Sequence, residues 1–239
     1  MKLIEELYRD LSTQELSNIA IGLEGNGLIR LQDRQKIIGY LNEALIRLHS
    51  RFILKEAEVL IKMFPHITNY HLLKKYAQSA DEPEAEGFAY IMDLLGEPFE
   101  EDVIKILEVW NTNSFRYPLN DPDDRWSLYT PQANLLQVPY PVTDATLSVV
   151  YQAAHKPIEV GDPDNEITGS FECPDVLYGA LRAFIAYKVF SHMNTQESTA
   201  KGQEHLVTYE RICAEAVDRD LVNTSMSSTN TKFEKRGFV

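Results

Sequence analysis

The strongest constraint on the fold of this 239-residue chain is a hydrophobic periodicity that changes twice along its length. Towards both ends, apolar residues recur every three or four positions, which is the spacing of an amphipathic helix. From about residue 55 onward they alternate or form short runs, which is typical of strands. The sequence therefore predicts an α+β fold in which helices from both ends of the chain flank a strand-rich middle.

The clearest helical segment begins near Asp33, a candidate N-cap, and runs to about Phe52. One apolar stripe supports it, formed by Ile37, Ile38, Leu41, Ala44, Leu45, Leu48 and Phe52. A shorter helix is predicted within residues 3–20, ahead of the glycine-rich run GLEGNG at 22–27. Those glycines follow no strand and lack the order of a phosphate-binding loop, so they predict a flexible turn.

Two further helices are predicted near the C-terminus. Pro174 fits the first turn of a helix that reaches about Met193, and its few polar positions predict that this helix is the most buried. A polar junction, NTQEST, is expected to turn into a last helix from about Ala200 to Asp220. After Leu221 the chain becomes polar and ends in KFEKRGFV, a composition typical of a tail that docks on another surface.

The first strands are predicted between residues 55 and 95. Val59, Ile61 and Met63 lie on one face of a strand, and Pro65 predicts a hairpin turn into a second run from Ile67 to Leu73. Helix remains an alternative for residues 69–76. The apolar piece 88–95, which follows the acidic loop DEPEAEG, fits either a strand or a single helical turn.

Residues 103–110 are apolar on both faces, which predicts a strand at the centre of its sheet. NDPDDR at 120–125 is a turn cluster, and further short strands are predicted at 126–130, 134–138 and 146–152. Strands at this spacing, punctuated by Pro, Asn and Asp, indicate a small antiparallel sandwich or barrel.

These segments predict a discontinuous domain organisation. Residues 1–54 and 168–221 form a helical bundle, because each end has an apolar stripe that needs a partner. Residues 55–167 form an inserted acidic module with an antiparallel β-sandwich or barrel-like fold, closed by the acidic loop VGDPDNE at 160–166. Residues 222–239 form an extended C-terminal arm.

The charge of the chain is concentrated in the predicted module. Residues 1–80 carry 11 Lys and Arg against 9 Asp and Glu, residues 81–172 carry 4 against 19, and residues 173–239 carry 8 against 8, which sums to a net charge of −13. Wrapping nucleic acid requires Lys and Arg to neutralise phosphates, so this distribution argues against it. DNA passing nearby without binding remains compatible with it.

Chemistry at cysteine or histidine has weak support in the sequence. Cys173 and Cys213 are too few for a disulfide framework, match no zinc spacing, and read as small apolar residues of helical segments. A nucleophilic Cys173 would need a nearby histidine, which the sequence does not place. His66 and His71 lack a third ligand, so they are expected to be structural or surface residues.

Paired carboxylates offer no better active site. Glu100-Glu101 and Asp123-Asp124 are expected in solvated loops, with nothing to place them in an apolar cleft that would separate their pKa values. The sequence therefore predicts a protein that is not an enzyme and has no cofactor or metal site. Charges interrupt the apolar residues of the N-terminal MKLIEELYRD, unlike a secretion signal, and no segment resembles a membrane span, so we expect a soluble protein made in the cytoplasm.

The order of these parts resembles that of the head-to-tail adaptor, or connector, proteins of tailed bacteriophages. QDRQKIIGYLNEALIRLHSRF resembles the helix that opens the family fold, and CPDVLYGALRAFIAYKVFSHMNTQESTAKGQEHLVTYERICAEAV resembles its closing helical hairpin. The strands from residue 55 to 154, including LLQVPYPVTDATLSVVYQAAHKPI, resemble a β module that some adaptors insert between the helices. KFEKRGFV resembles the C-terminal arm, whereas the acidic segment 81–102 is larger than in a minimal adaptor.

This resemblance implies a virion structural protein of the neck, made in the host cytoplasm. It implies a ring of about twelve copies beneath the portal, contacting the portal protein above and a tail or nozzle protein below. DNA would pass through the channel without sequence-specific binding. The arm residues Phe233, Arg236 and Phe238 are the expected portal anchors, two apolar side chains beside a guanidinium that can pair with carboxylates.

Three alternatives stay open at the level of sequence. Another neck or tail component, such as a stopper or tail terminator, would also form rings but would be dominated by strands. An enzyme with an unrecognised site would show a deep pocket with convergent polar groups. A cytoplasmic helical regulator is disfavoured by the acidic strands and by the absence of a basic recognition helix.

Overall fold

The computed structural model describes residues 1–17, 29–80, 88–93, 96–159, 169–193 and 195–222, without the side chain of Leu31. Its fold is α+β, as predicted, with about 38% helix and 24% strand. The predicted loops at 22–27, 81–87 and 160–166 lie outside the described residues.

In chain order the elements are β1 (Lys2–Leu3), α1 (Ile4–Thr13), α2 (Leu31–Arg51), β2 (Glu56–Lys62), β3 (Asn69–His71), a 3-10 turn (Lys74–Tyr76), β4 (Ile91–Met92), β5 (Val103–Asn111), β6 (Tyr129–Gln132), β7 (Leu135–Gln137), β8 (Thr146–Ala153), β9 (Ser170–Phe171), α3 (Asp175–Ser191) and α4 (Gln196–Asp218).

The chain divides into two compact units, a helical unit of Met1–Leu54 with His155–Thr224 and a strand unit that includes Lys55–Ala154. The second boundary follows residue 154, whereas the sequence placed it after 167. A reciprocal pair of hydrogen bonds explains why the segment after 154 belongs with the helices. Asn42 Nδ2 on α2 donates to the Ile158 carbonyl at 3.0 Å, and the Ile158 amide donates to Asn42 Oδ1 at 2.9 Å.

One apolar core holds the helical unit together. α3 supplies more of it than its length suggests, because nine of its 17 residues are buried. Burial of each large aliphatic side chain contributes about 1.5–3 kcal/mol, so α3 dominates the packing. The core joins both ends of the chain and includes Ile4, Leu7 and Leu11 of α1, Leu41, Leu45 and Leu48 of α2, Leu177, Leu181 and Phe184 of α3, and Tyr209, Cys213 and Ala216 of α4.

The helix starts differ from those predicted. α2 begins with Arg30 as its N-cap, and Asp33 lies in the first turn, where a carboxylate still favours the positive end of the helix dipole. α3 has Pro174 as its N-cap residue rather than inside the first turn. α4 begins at Gln196 instead of Ala200, because the Thr195 hydroxyl accepts a hydrogen bond from the Ser198 amide at 3.1 Å and caps the helix there.

The strand unit consists of two antiparallel sheets, one with the order β4-β2-β8-β5 and one with the order β3-β7-β6. Both sheets contribute to one apolar core, so the unit is a small sandwich rather than a closed barrel. Its core includes Val59 and Ile61 of β2, Tyr70 of β3, Ile106 and Val109 of β5, Leu136 of β7, and Val149 and Tyr151 of β8.

The predicted hairpin between the first two strands is wrong. β2 pairs with β8 along its whole length and with β4 on its other side, whereas β3 pairs with β7 in the second sheet. The chain around Pro65 therefore crosses from one sheet to the other. Helix is confirmed only for the short 3-10 turn after β3, and the ambiguous run 88–95 contains strand β4.

The predicted central position of β5 is also wrong, because β5 is the last strand of its sheet. Two bulges shift its register against β8, which places Ile106 and Val109 in the same core although they are three residues apart. Trp110 points to the opposite face and packs with Leu60 and Val150. β5 thus has buried residues on both faces of the sheet, although it is an edge strand that pairs with β8 alone in that sheet.

Candidate interaction surfaces

The strand unit contains an acidic cleft of about 560 Å³, lined by β2, by Met92 and Asp93, by segment 96–102 and by Tyr151. Six of the lining side chains are carboxylates and one is a lysine: Glu56, Glu58, Asp93, Glu97, Glu100, Asp102 and Lys55. Buried Phe99, Val59 and Tyr151 form its apolar floor. The volume would accommodate a small molecule, so the state of its polar groups decides what the cleft can do.

Two of these carboxylates are held by neighbouring groups. Asp102 accepts hydrogen bonds from Lys55 Nζ at 3.0 Å and from the Tyr151 hydroxyl at 2.9 Å. Burial, followed by the charge of Asp102, raises the pKa of Tyr151 above its usual value, so Tyr151 stays protonated and donates. This arrangement ties the Asp102 carboxylate to the residue before β2 and to β8.

Asp93 is held in the same way. Its carboxylate accepts bonds from the Ser79 amide at 3.1 Å, from the Ser79 hydroxyl and from the Phe99 amide at 2.9 Å. Burial raises the pKa of Asp93, but these hydrogen bonds outweigh burial and leave the pKa below its usual value. Asp93 therefore remains ionised and fixes the segment that borders the cleft.

A second feature of the strand unit is the aromatic groove, lined by Met63, Tyr117, Arg125, Trp126, Ser127, Leu128, Val138, Pro139, Tyr140, Val142 and Leu147. Three side chains on its rim are exposed to a degree unusual for their size: Trp126 by 60%, Tyr140 by 70% and Val142 by 57%. The groove itself encloses only about 40 Å³. An exposed apolar surface of this kind is typical of a binding interface.

The turn that presents Trp126 is fixed by its own acidic side chains. Asp121 Oδ1 accepts from the Asp123 amide at 3.0 Å, and Asp124 Oδ1 accepts from the Trp126 amide at 2.8 Å. The Asp121 amide in turn donates to the Ser127 hydroxyl at 2.9 Å. The predicted NDPDDR turn is confirmed, and it places an acidic rim beside the groove.

The helical unit has an unpartnered apolar strip on the outer side of α4. Val207 is 65% exposed and Val217 is 59% exposed, whereas Tyr209 and Cys213 on the inner side are buried. A shallow surface formed by Leu206, Val207, Glu210, Arg211 and Ala214 continues the strip. α4 thus exposes a few apolar side chains among charged ones, apart from the side that the helical core covers.

The thiols are unsuited to nucleophilic chemistry. Cys173 and Cys213 are both free and buried. Burial raises the pKa of Cys173 to about 12, and burial also raises the pKa of Cys213. A thiol held in its neutral form at pH 7 is a poor nucleophile.

His66 and His71, the two histidines considered as metal ligands, contact aromatic residues. The His66 ring packs edge-on against Phe88, with ring centres 5.3 Å apart, and the His71 carbonyl accepts the Tyr90 hydroxyl at 2.8 Å. Within the described part of the chain, no group of three or more His, Cys, Asp or Glu side chains is arranged to hold a metal ion.

The predicted portal anchors Phe233, Arg236 and Phe238 lie outside the described residues, so they stay predictions. The sequence reasoning missed the aromatic groove. Its one local signal is a tryptophan placed directly after an acidic turn, where a core residue would be poorly covered. Within the described residues, no helix combines the length and apolar character needed to cross a membrane.

Comparison with known proteins gives no family for this chain. No family model matches it, and no curated protein matches it.

Proposed function

We propose that this protein is a head-to-tail adaptor of a tailed bacteriophage and acts by assembly rather than by catalysis. Copies form a ring, with about twelve as the expected number, beneath the portal in the neck of the virion. The ring binds the portal protein on one side and a tail or nozzle protein on the other. DNA leaves the filled head through its channel without sequence-specific binding.

The observation that carries this proposal is the outer side of α4. The segments that resemble the family's opening helix and closing hairpin coincide with α2 and with α3 and α4, and they pack into one helical unit. An isolated helical unit needs only one apolar face per outer helix. The exposed Val207 and Val217 are apolar side chains that the helical core leaves uncovered and that a neighbouring copy in a ring would cover.

The charge of the strand unit is compatible with a DNA channel or a basic partner. Residues 55–154 carry 16 Asp and Glu against 7 Lys and Arg, a net charge of −9. Phosphates are repelled by such a surface, so DNA would slide past it, while a basic tail protein would be attracted.

The alternatives fit less well. A stopper or tail terminator would be dominated by strands, whereas helix exceeds strand here, at about 38% against 24%. An enzyme would need reactive groups in its cleft, and two of the six carboxylates there, Asp93 and Asp102, are instead engaged by Ser79, Phe99, Lys55 and Tyr151.

The test is electron microscopy and cross-linked mass of the protein mixed with phage portal rings. A stoichiometric collar on one end of the portal would support the proposal. A monomer that ignores the portal would overturn it and would favour a ligand screen. Deletion of residues 231–239 should abolish the collar if the arm anchors the ring, and retained portal binding would exclude the arm as the anchor.

The matched control keeps the arm and alters its linker, with Ser227→Ala and Ser228→Ala. This variant has the full length and the two phenylalanines, so it should still form the collar. Loss of the collar in both variants would show sensitivity to any change near the C-terminus and would not support specific anchoring.

A further inference from the structure

We propose that the aromatic groove of the strand unit binds the chain's own C-terminal segment, residues 232–239. This interaction is separate from portal binding and does not depend on the adaptor role. It joins an exposed aromatic surface with a basic, phenylalanine-containing segment of the chain.

The groove has the composition of a binding hot spot. Trp126 and Tyr140 are the residue types that contribute most to protein interfaces, and both are more than half exposed. Arg125, the third favoured type, lies with its guanidinium 5.8 Å from the centre of the Trp126 ring. Ordered turn bonds hold Trp126 in place before binding, which lowers the entropy cost of association.

The size of the groove selects a peptide over a small molecule. Ligand pockets usually enclose about 300–1,000 Å³, whereas this groove encloses about 40 Å³. A small molecule would remain mostly in water. An extended peptide can lie across the rim and cover Trp126, Tyr140 and Val142 without entering a deep pocket.

Charge complementarity selects the C-terminal segment as that peptide. The segment KFEKRGFV has three cations and one anion, a net charge of +2 from its side chains, and two phenylalanines. Asp121 contacts Ser127 of the groove and Asp123 contacts Asp121, in a unit whose net charge is −9. Phe233 or Phe238 would pack on the exposed rings while Lys232, Lys235 or Arg236 approaches the acidic turn.

A linker gives the segment reach beyond the end of the helical unit. The described chain ends at Val222, and nine residues, 223–231, separate it from the segment. All of them are polar except one methionine. Nine extended residues span up to about 30 Å. The segment 232–239 can therefore bind surfaces that lie well away from Val222.

Docking of this segment would have two consequences. It would cover the most exposed aromatic surface of the strand unit, which lowers the tendency of the free protein to associate. It would also keep Phe233 and Phe238 occupied until a partner with higher affinity competes for them.

Tryptophan fluorescence tests the proposal on the full-length protein. The chain has two tryptophans: Trp110 is 3% exposed and Trp126 is 60% exposed, so quenching by acrylamide reports mainly on Trp126. We expect the double variant Phe233→Ala/Phe238→Ala to increase the quenching constant and to shift the emission to longer wavelength. Equal quenching of the variant and the parent would overturn the proposal.

Two further sets of variants make the result specific. The control Ser227→Ala/Ser228→Ala should leave quenching unchanged, because it alters only the linker. Trp126→Phe should abolish the effect of the phenylalanine substitutions, and an effect that persists would place the segment elsewhere and overturn the proposal. Shielding that grows with protein concentration would also overturn it, because it would assign the groove to another copy. No portal protein is present, so the outcome is independent of the adaptor test.

Discussion

The Tyr178 hydroxyl on α3 donates a 2.9 Å hydrogen bond to the Asp10 carboxylate on α1. The two residues come from opposite sides of the strand unit in the sequence, with its residues Lys55–Ala154 between them. Burial, followed by the bond to Asp10, raises the pKa of Tyr178, so the hydroxyl remains a donor across the physiological range. This contact is a direct polar link between the two halves of the helical unit.

A double-mutant cycle should measure that link. Tyr178→Phe and Asp10→Asn should each lower the free energy of unfolding, and we expect a coupling of about 1–2 kcal/mol, since hydrogen bonds to charged groups contribute more than neutral ones. Urea denaturation of the four proteins gives the coupling. Tyr187→Phe on the same helix is the control, and strictly additive effects would show that the bond contributes nothing to stability.

The helices could be predicted from local patterns, because helix formation depends on residues within a few turns of one another in the sequence. The stripe around Leu45 and the apolar run around Leu181 both form helices of the shared core, and only the caps differed. Strand pairing depended on residues far apart in sequence. Tyr70 pairs with Leu136, and Val59 with Val149, and no short-range pattern specifies those partners.

The candidate site was less predictable for a related reason. An aromatic residue has the same sequence signal in a core as on a surface, so the acidic turn before Trp126 is the one local sign of its exposure. Engagement of Asp102 by Lys55 and Tyr151 depends on β2, β8 and the segment before β5 meeting in space. The arm residues Phe233, Arg236 and Phe238 were predicted from composition and resemblance alone, and their role remains a prediction.

Core packing in the helical unit predicts a large and local effect of truncation. Leu181 is 0% exposed, so Leu181→Ala should lower the free energy of unfolding by about 2–5 kcal/mol through lost burial and a residual cavity. Val176→Ala on the same helix is the control: Val176 is 41% exposed, and its effect should be within about 0.5 kcal/mol. Comparable losses in both variants, by chemical denaturation, would contradict the packing described for α3.

The buried thiols should resist modification. Burial raises the pKa of Cys173 to about 12, and thiolate is the reactive form, so a disulfide reagent at pH 8 should label neither Cys173 nor Cys213 in the folded protein. Both should react promptly in denaturant, which provides the internal control. Rapid labelling of the native protein would show that the helical core opens or that a thiol is activated.

Asp93 should make stability depend on acidic pH. Its pKa is lower in the folded protein than in the unfolded chain, so its contribution is present above the unfolded pKa of about 3.9 and is lost as the pH falls through the folded value. Asp93→Asn removes that titration. We expect the variant to be less stable at pH 7 and to lose less further stability between about pH 5 and pH 2 than the parent.

The measurement is denaturant unfolding across that pH range. Asp144→Asn, in the same unit, alters an exposed carboxylate and is the matched control. Equal pH dependence in Asp93→Asn and the parent would show that the bonds from Ser79 and Phe99 do not stabilise the ionised form.

The outer side of α4 should govern self-association without governing the fold. Val207 and Val217 are exposed and contribute little to the helical core, so Val207→Glu with Val217→Glu should preserve the circular dichroism spectrum and the thermal midpoint. Two buried charges would oppose packing of a neighbouring copy on this strip, so the rings expected from the parent should be lost in sedimentation velocity. Glu204→Gln, on the same helix, is the control and should leave assembly intact. Rings that survive the double substitution would place the contact between copies on another surface.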